Sequence, residues 1–458
     1  MDLQNLTVVS ALDGLRSGQF TAGELARATL AQIASLDPEM HAFITVTGDL
    51  ALADAAQADH AYSEKTALDL AGSLLGIPVA IKDLIDLAGF ATTGGTRGLG
   101  REVVGEDAEV VRRLKRAGAT LIGKTNTHEI ALGVTGVNPH FGTVGNPWDP
   151  SRITGGSSSG SAAAVACGMC LAALGTDTGG SVRIPASLCG VAGLKPTFGR
   201  ISLRGVVPLS TNLDHVGVLA RTVADLALLY RVLAGYDPED LGSVDMPVDL
   251  PGAGSAPSGW KIACAGGEYT GSAQEEILAA VRAAADVYRA AGASVEEVDV
   301  SWLGELALAN GRMTQADAAA VYASRLADHP ERFGADVRKR LEAGAALPLT
   351  DYIRARRTQQ EGRRRMEVFF GLYDLLILPT TPIPAPLIEE TAPLDAARQL
   401  TRFTAPFNLT GVPALSVPFK RTAQGLPFGI QLVSGPWCEE SLLQAGLLLQ
   451  DAISPADR

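Results

Sequence analysis

Two Gly-Gly-Ser sites, Gly155 to Ser157 and Gly179 to Ser181, stand 24 positions apart from serine to serine within the block Thr154 to Arg200. Serine hydroxyls are candidate nucleophiles, and glycines let backbone amides approach a reacting group closely. The spacing returns one serine to the other. A helix of about ten residues from Gly160 climbs roughly 15 Å, and an extended run of about five residues from Leu171 covers roughly 17 Å back. Two hydroxyls then share one pocket, and the successive N–H groups of Thr178, Gly179, Gly180 and Ser181 form a nest for an oxyanion. A Gly/Ser string by itself reads as a flexible loop; the second site changes that reading.

A serine nucleophile needs a base. Gly156 to Gly160 fits the G-x-S-x-G elbow with Ser158 at its centre, but that elbow follows a strand, and NPWDPSRIT from Asn146 holds two prolines. His215 and His329 are the histidines left to serve it. A phosphate loop would place Gly-Lys-Ser/Thr after the glycine turn, whereas Gly160 is followed by Ser161 and Ala162. A lysine can also serve as the base if it is neutral. Among the scarce lysines, Lys82 directly follows an apolar strand in GIPVAIKDLID. Neutrality near pH 7.5 requires a downward shift of about three units, or roughly 4 kcal/mol, which burial supplies and which Asp83 and Asp86 oppose if they lie close. The competing reading is a strand-end lysine that reaches solvent.

The elements that must position these groups alternate. Thr21 and Glu24 form a capping box, and Ala22, Leu25, Ala26, Thr29, Ile33 and Leu36 follow helical spacing until Pro38. GIPVAI from Gly76 reads as a strand, Ala108 to Ala117 as a helix, and ATLIGK from Ala119 as another strand. Later, a strand around Ile262 precedes a helix capped by Ser272 and Glu275 and stopped at Gly292, then the strand SVEEVDV from Ser294. The expectation is an α/β chain with a mixed or largely parallel sheet flanked by helices. Residues 240–259 read as a soft surface connection, and no repeat of fixed period is present. Nine arginines between Arg332 and Arg365, interleaved with acids, predict a solvated, salt-bridged helical face rather than an anion site.

At 458 residues, with 47% hydrophobic and 19% charged content, the chain has ample length for a buried core. A net charge of −12 argues against phosphate tracking on nucleic acid and against an anionic membrane surface. The first residues lack a secretory signal, no window approaches about 20 apolar residues, and a cytoplasmic location is expected. Five cysteines, Cys167, Cys170, Cys189, Cys264 and Cys438, predict reduced thiols and no metal site.

The block resembles the amidase signature family. GGSSSGSAAAVA from Gly155, LGTDTGGSVRIPAS from Leu174 and GVAGLKPTFGR from Gly190 are similar to its signature. The resemblance extends to GIPVAIKD, to GKTNTHE from Gly123, to LDHVGVLARTVAD from Leu213, and to FTAPFNLTGVPALSVP and GLPFGIQL near the carboxy terminus. Ser159 departs from the family's usual glycine. The resemblance implies one amidase domain over 1–458, with a large mixed β-sheet sandwiched between α-helices. It also implies a Ser-cisSer-Lys triad: Ser181 the acyl-forming nucleophile, Ser157 the bridging serine after a cis peptide at Gly156, and Lys82 the base. Amides from Thr178, Gly179, Gly180 and Ser181 would hold the oxyanion. No metal or organic cofactor is implied. Arg183 is expected in an ion pair, with Asp177 as its partner, and Lys195 and Asp214 in architectural roles.

The implied reaction is hydrolysis of a carboxylic amide to carboxylate plus ammonia or amine. The expected partner is a small-molecule amide, with no direct nucleic acid and no membrane; a homodimer is compatible. The alternative within the family is the glutaminase subunit of a tRNA-dependent amidotransferase. That glutaminase typically carries an aspartate three positions before the threonine of its T-x-P-x-N-L motif, where this chain has Thr401 before Thr404, and TTGGTRG from Thr92 is more similar to the general amidases. A catalytically silent binding protein would not be expected to keep Lys82, Ser157 and Ser181 together. Substrate walls are expected from Asn126 to Asn138 and from Leu303 to Pro386.

Overall fold

In the computed structural model, which describes residues 1–64, 74–248 and 258–453, short apolar strands and amphipathic helices assemble around one sheet. Its eleven strands are β1 (Phe43–Val46), β2 (Pro78–Lys82), β3 (Thr120–Thr125), β4 (Ala172–Thr176), β5 (Ala192–Lys195), β6 (Val216–Ala220), β7 (Lys261–Gly266), β8 (Ser294–Asp299), β9 (Leu375–Pro379), β10 (Ala414–Arg421) and β11 (Pro427–Val433). They lie in the order β1-β3-β2-β4-β6-β5-β10-β11-β9-β7-β8. β2 runs parallel to β3 and β4, and β7 runs parallel to β8 and β9. The other neighbours are antiparallel, so the sheet is mixed and not largely parallel.

Side chains alternate across this sheet because successive residues of a strand point to opposite faces. Val79, Ile81, Leu174, Val218 and Ile377 join the largest apolar cluster on one face. Ala80, Ala173 and Leu219 pack on the other face with Ala162, Ala163, Ala164 and Val165 of the helix Ser159–Ala166. Leu376, Leu378 and Val433 extend that second face under the long helix Leu303–Asp328. Helices therefore cover both faces, and the inner strands are mostly buried along their length, whereas the edge strands β1 and β8 are partly exposed.

Three local expectations need correction. The helix that opens with the Thr21–Glu24 capping box runs through Pro38 to Met40, since the last turn still closes on the His41 N–H, which donates to Asp37 O. The helix Glu275–Ala290 takes Gln274 as its cap; the Ser272 hydroxyl donates instead to Tyr269 O within a short 3₁₀ turn. The carboxylates that act on Lys82 are Asp177 and Asp214 rather than Asp83 and Asp86, and Asp83 pairs with Lys124 Nζ at 2.9 Å and accepts from the Thr93 amide and hydroxyl. Of the connection at 240–259, residues 249–257 lie outside the described residues. The part before them folds onto Arg200, whose guanidinium donates to the carbonyls of Met246 and Pro247, and strands from both sides of the connection enter the same sheet.

Candidate active site

Lys82 ends β2 and Thr176 ends β4, so the pairing of these two parallel strands brings both to the same end of the strands. Lys82 is fully buried, and its Nζ donates to Ser157 Oγ at 2.7 Å and to Thr176 Oγ1 at 2.8 Å. Burial lowers the Lys82 pKa to about 7, against the opposing pull of the Asp177 and Asp214 carboxylates. Thr176 carries no signal in the sequence; only the β2–β4 pairing places it.

The Gly156–Ser157 peptide is cis. The Ser157 carbonyl accepts from the His128 N–H at 3.1 Å and from Thr127 Oγ1 at 2.9 Å, which holds the residue while its hydroxyl meets Lys82. Its neighbour Ser158 is committed elsewhere. The Ser158 hydroxyl donates to Thr176 O and accepts from the Thr176 amide, both at 3.2 Å, so no exposed elbow forms. Neither histidine is placed as a base for it: His215 is buried with its ring against the Leu213 and Asp177 carbonyls, and His329 is exposed beside Glu331.

Ser181 stands at the mouth of the helix Arg183–Cys189, is 5% exposed, and lines a cavity of about 680 Å³. Its carbonyl accepts from the Ser158 N–H at 3.1 Å, which ties the two serine loops together. The loop before it turns at Gly180, where φ is 133° and an added Cβ would collide with Thr404 Oγ1, so only glycine fits. Thr404 Oγ1 donates to Gly179 O at 2.7 Å, and Asn310 Nδ2 donates to Thr178 O at 3.1 Å. The nest differs from expectation in one member. The Gly180 amide donates to Asp177 Oδ1 at 2.7 Å, because that buried carboxylate lies under the loop and gathers the donors near it. Among the described residues the amides of Thr178, Gly179 and Ser181 meet no acceptor.

Asp177 is the anchor beneath the loop. Arg183 grips it with Nε and Nη2, each at 3.0 Å, and Asn408 Nδ2 and the Val182 amide add further donors. Burial pushes this carboxyl upward, but the Arg183 ion pair and these hydrogen bonds outweigh burial and hold it well below the usual range. Arg183 itself is fully buried and continues to Thr404 O, Asn408 Oδ1 and Gln431 Oε1, so it holds the frame rather than a ligand. Lys195 likewise donates to the carbonyls of Pro196 and Val412. Asp214 sits nearer the chemistry: it accepts from Thr178 Oγ1 at 2.6 Å and from the amides of Leu209 and Ser210. Burial raises its pKa to about 6, and these donors and Lys82 oppose the rise.

The cavity walls come from Ala131 to Val134, from the helix Leu303–Asp328, and from Arg340, all inside the segments expected, and also from Leu394 to Arg402, beyond them. Arg340 departs from the solvated face expected for its segment. Arg338, Arg354, Arg357 and Arg364 do make surface pairs, but Arg340 is only 6% exposed. Its Nε donates to Asp336 Oδ2 at 3.0 Å, and its Nη2 is buried without a hydrogen-bond partner. Thr314 Oγ1, also on the cavity wall, is buried and unpartnered in the same way.

A family model described as Amidase matches residues 24–443. The chain is 40% identical over 461 residues to the glutamyl-tRNA(Gln) amidotransferase A-subunit of Synechococcus sp. (strain RCC307), covering 94% of each. It is similar, with a TM-score of 0.92 and 34% identity over 98% of this chain and 99% of the other, to a structure from a vestigial protein complex bearing on the origins of an s-triazine catabolic enzyme. A structure described as an amidase matches with a TM-score of 0.86 and 34% identity, covering 98% of this chain and all of the other.

Proposed function

The chain belongs to the amidase family, whose members act on the C–N bond of amides, and from that premise we propose that it hydrolyses a small amide whose acyl part carries a carboxylate. Ser181 attacks the amide carbonyl, and its proton passes through Ser157 to neutral Lys82. The amides of Thr178, Gly179 and Ser181 receive the oxyanion, the leaving nitrogen takes the proton back from this relay, and water then hydrolyses the acyl-enzyme. The hydrogen bond from Lys82 to Ser157 and the pull of burial on the lysine support the base, and the open amides beside Ser181 support the oxyanion site.

One observation carries the substrate class. Arg312, Arg340, Arg398 and Arg402 line the cavity, no Asp or Glu among the described residues does, and Arg340 keeps a buried N–H without an acceptor. A carboxylate on the substrate complements this arginine-lined wall. Within this reading the partner is a free small molecule met in the cytoplasm.

The second reading is the glutaminase of a tRNA-dependent amidotransferase, working beside other subunits and tRNA. The curated relatives favour it, because full-length similarity at about 40% is to proteins of that name. The cavity favours the first reading, since glutamine brings an ammonium and Thr401 stands where an aspartate would hold it. Ammonia release from glutamine and from 4-carbamoylbutanoate, which is glutamine without its amino group, separates them. The first reading requires the second compound to have the higher kcat/KM and Arg340→Gln to raise its KM. A clear preference for glutamine overturns it.

A further inference from the structure

The carboxamide of Asn310 has one end engaged and one end open. Its nitrogen must be the end that meets Thr178 O, because that oxygen can only accept, and Oδ1 is then the other end. A Cβ added to Gly179 would sit 3.1 Å from Oδ1, so this oxygen lies against Gly179, two residues before the nucleophile. The side chain is 3% exposed, shares the cavity wall with Gly179 and Ser181, and meets no donor at Oδ1 among the described residues. Thr404, on the far side of the same loop, donates its hydroxyl proton to Gly179 O.

We propose that Asn310 Oδ1 accepts a hydrogen bond from the N–H of the scissile amide and so selects an amide over an ester of the same acid. The inference rests on Ser181 being the nucleophile. When the substrate oxygen lies on the amides of Gly179 and Ser181, the nitrogen bonded to the same carbon lies beside that nest, and Asn310 Oδ1 is the acceptor that flanks it. The two ends of Asn310 then do different work. Nδ2 fixes the Thr178–Gly179 peptide, and since C=O and N–H of one peptide point opposite ways, it also fixes the direction of the Gly179 N–H for any substrate. Oδ1 acts only on a substrate that has an N–H to give.

The test compares kcat/KM for matched pairs, 4-carbamoylbutanoate with its ω-methyl ester and benzamide with methyl benzoate. Asn310→Ala removes both ends and should lower the amide rate about tenfold more than the ester rate, the size of one lost hydrogen bond. Asn310→Asp keeps the acceptor and loses the donor, so it should slow both members of a pair alike and leave the amide-to-ester ratio near that of the parent. Equal losses on amide and ester in Asn310→Ala overturn the proposal and leave a loop tether. A collapsed ratio in Asn310→Asp overturns it as well. Turnover of the benzamide pair in preference to the acidic pair would refute the carboxylate reading while still testing Asn310, and absence of any Ser181-dependent turnover would refute the nucleophile instead.

Discussion

Changing pH perturbs Lys82 more directly than any mutation. Burial moves this amine from 10.5 to about 7, a shift of about 5 kcal/mol that leaves about half of the molecules with a neutral amine at pH 7. At pH 8 about nine tenths of the molecules hold a neutral Lys82 and at pH 6 about one tenth, so kcat/KM should fall about tenfold across those two units. Asp214 titrates near 6 in the same buried region. Its protonation removes a negative charge that favours the lysine cation, so the acid limb should become shallower below pH 6 than a single ionisation gives. Asp214→Asn should shift the midpoint downward by roughly half a unit to one unit, since the two charges interact without touching. Initial rates of ammonia release from 4-carbamoylbutanoate between pH 5 and 9.5 measure this. A midpoint near the ordinary lysine value, or an acid limb that Asp214→Asn leaves in place and His215→Ala abolishes, would refute the assignment of Lys82 as base.

Stability should follow the same group: the unfolded chain binds the Lys82 proton up to about 10.5 and the folded one only to about 7. Folding stability therefore rises between those pH values, and Lys82→Met, though inactive, should gain most over the parent at pH 6 and lose that advantage toward pH 10, read by chemical denaturation. Arg183→Met strands the buried Asp177 carboxylate and should cost about 3–5 kcal/mol, seen as a lowered melting temperature with no dependence on substrate charge. Gly180→Ala forces a Cβ into Thr404 Oγ1 at a positive φ and should abolish most turnover while costing about 1–3 kcal/mol. Ser157→Ala should keep the melting temperature within a few degrees and lose at least about a thousandfold in kcat, and a sulfonyl fluoride should label Ser181 in the parent, with label at Ser158 as the contrary result in peptide mapping.

Residues whose role is set by local chemistry are legible in the sequence. Lys82 follows an apolar strand, the Thr21–Glu24 box announces a helix, and the paired Gly-Gly-Ser sites predict a helix and strand between them, which appear as Ser159–Ala166 and β4. What escapes depends on pairing and direction. Thr176 meets Lys82 because β2 and β4 are neighbours, an order that periodicity does not encode. Arg340 lies in a run of arginines most of which face water, and only the packing of its helix against the helix Leu303–Asp328 turns it inward. The Gly180 amide leaves the expected nest because a buried carboxylate three residues earlier competes for it.

The strand order bears on how the chain is made. β10 and β11, near the carboxy terminus, occupy the middle of the sheet and join β1–β6 to β7–β9. Until they arrive, β5 and β9 each present an open edge flanked by apolar faces, the arrangement most prone to pairing with another chain. Roughly 210 residues separate the end of β6 from the end of β11, so at about 5–20 residues per second the nascent first half waits roughly 10–40 s for its closing strands. Gln431 of β11 is also the residue that meets the Arg183 guanidinium, so the frame beneath Ser181 is finished in the same step. Truncation before β10 should thus give aggregating chains with no residual turnover, rather than a smaller enzyme.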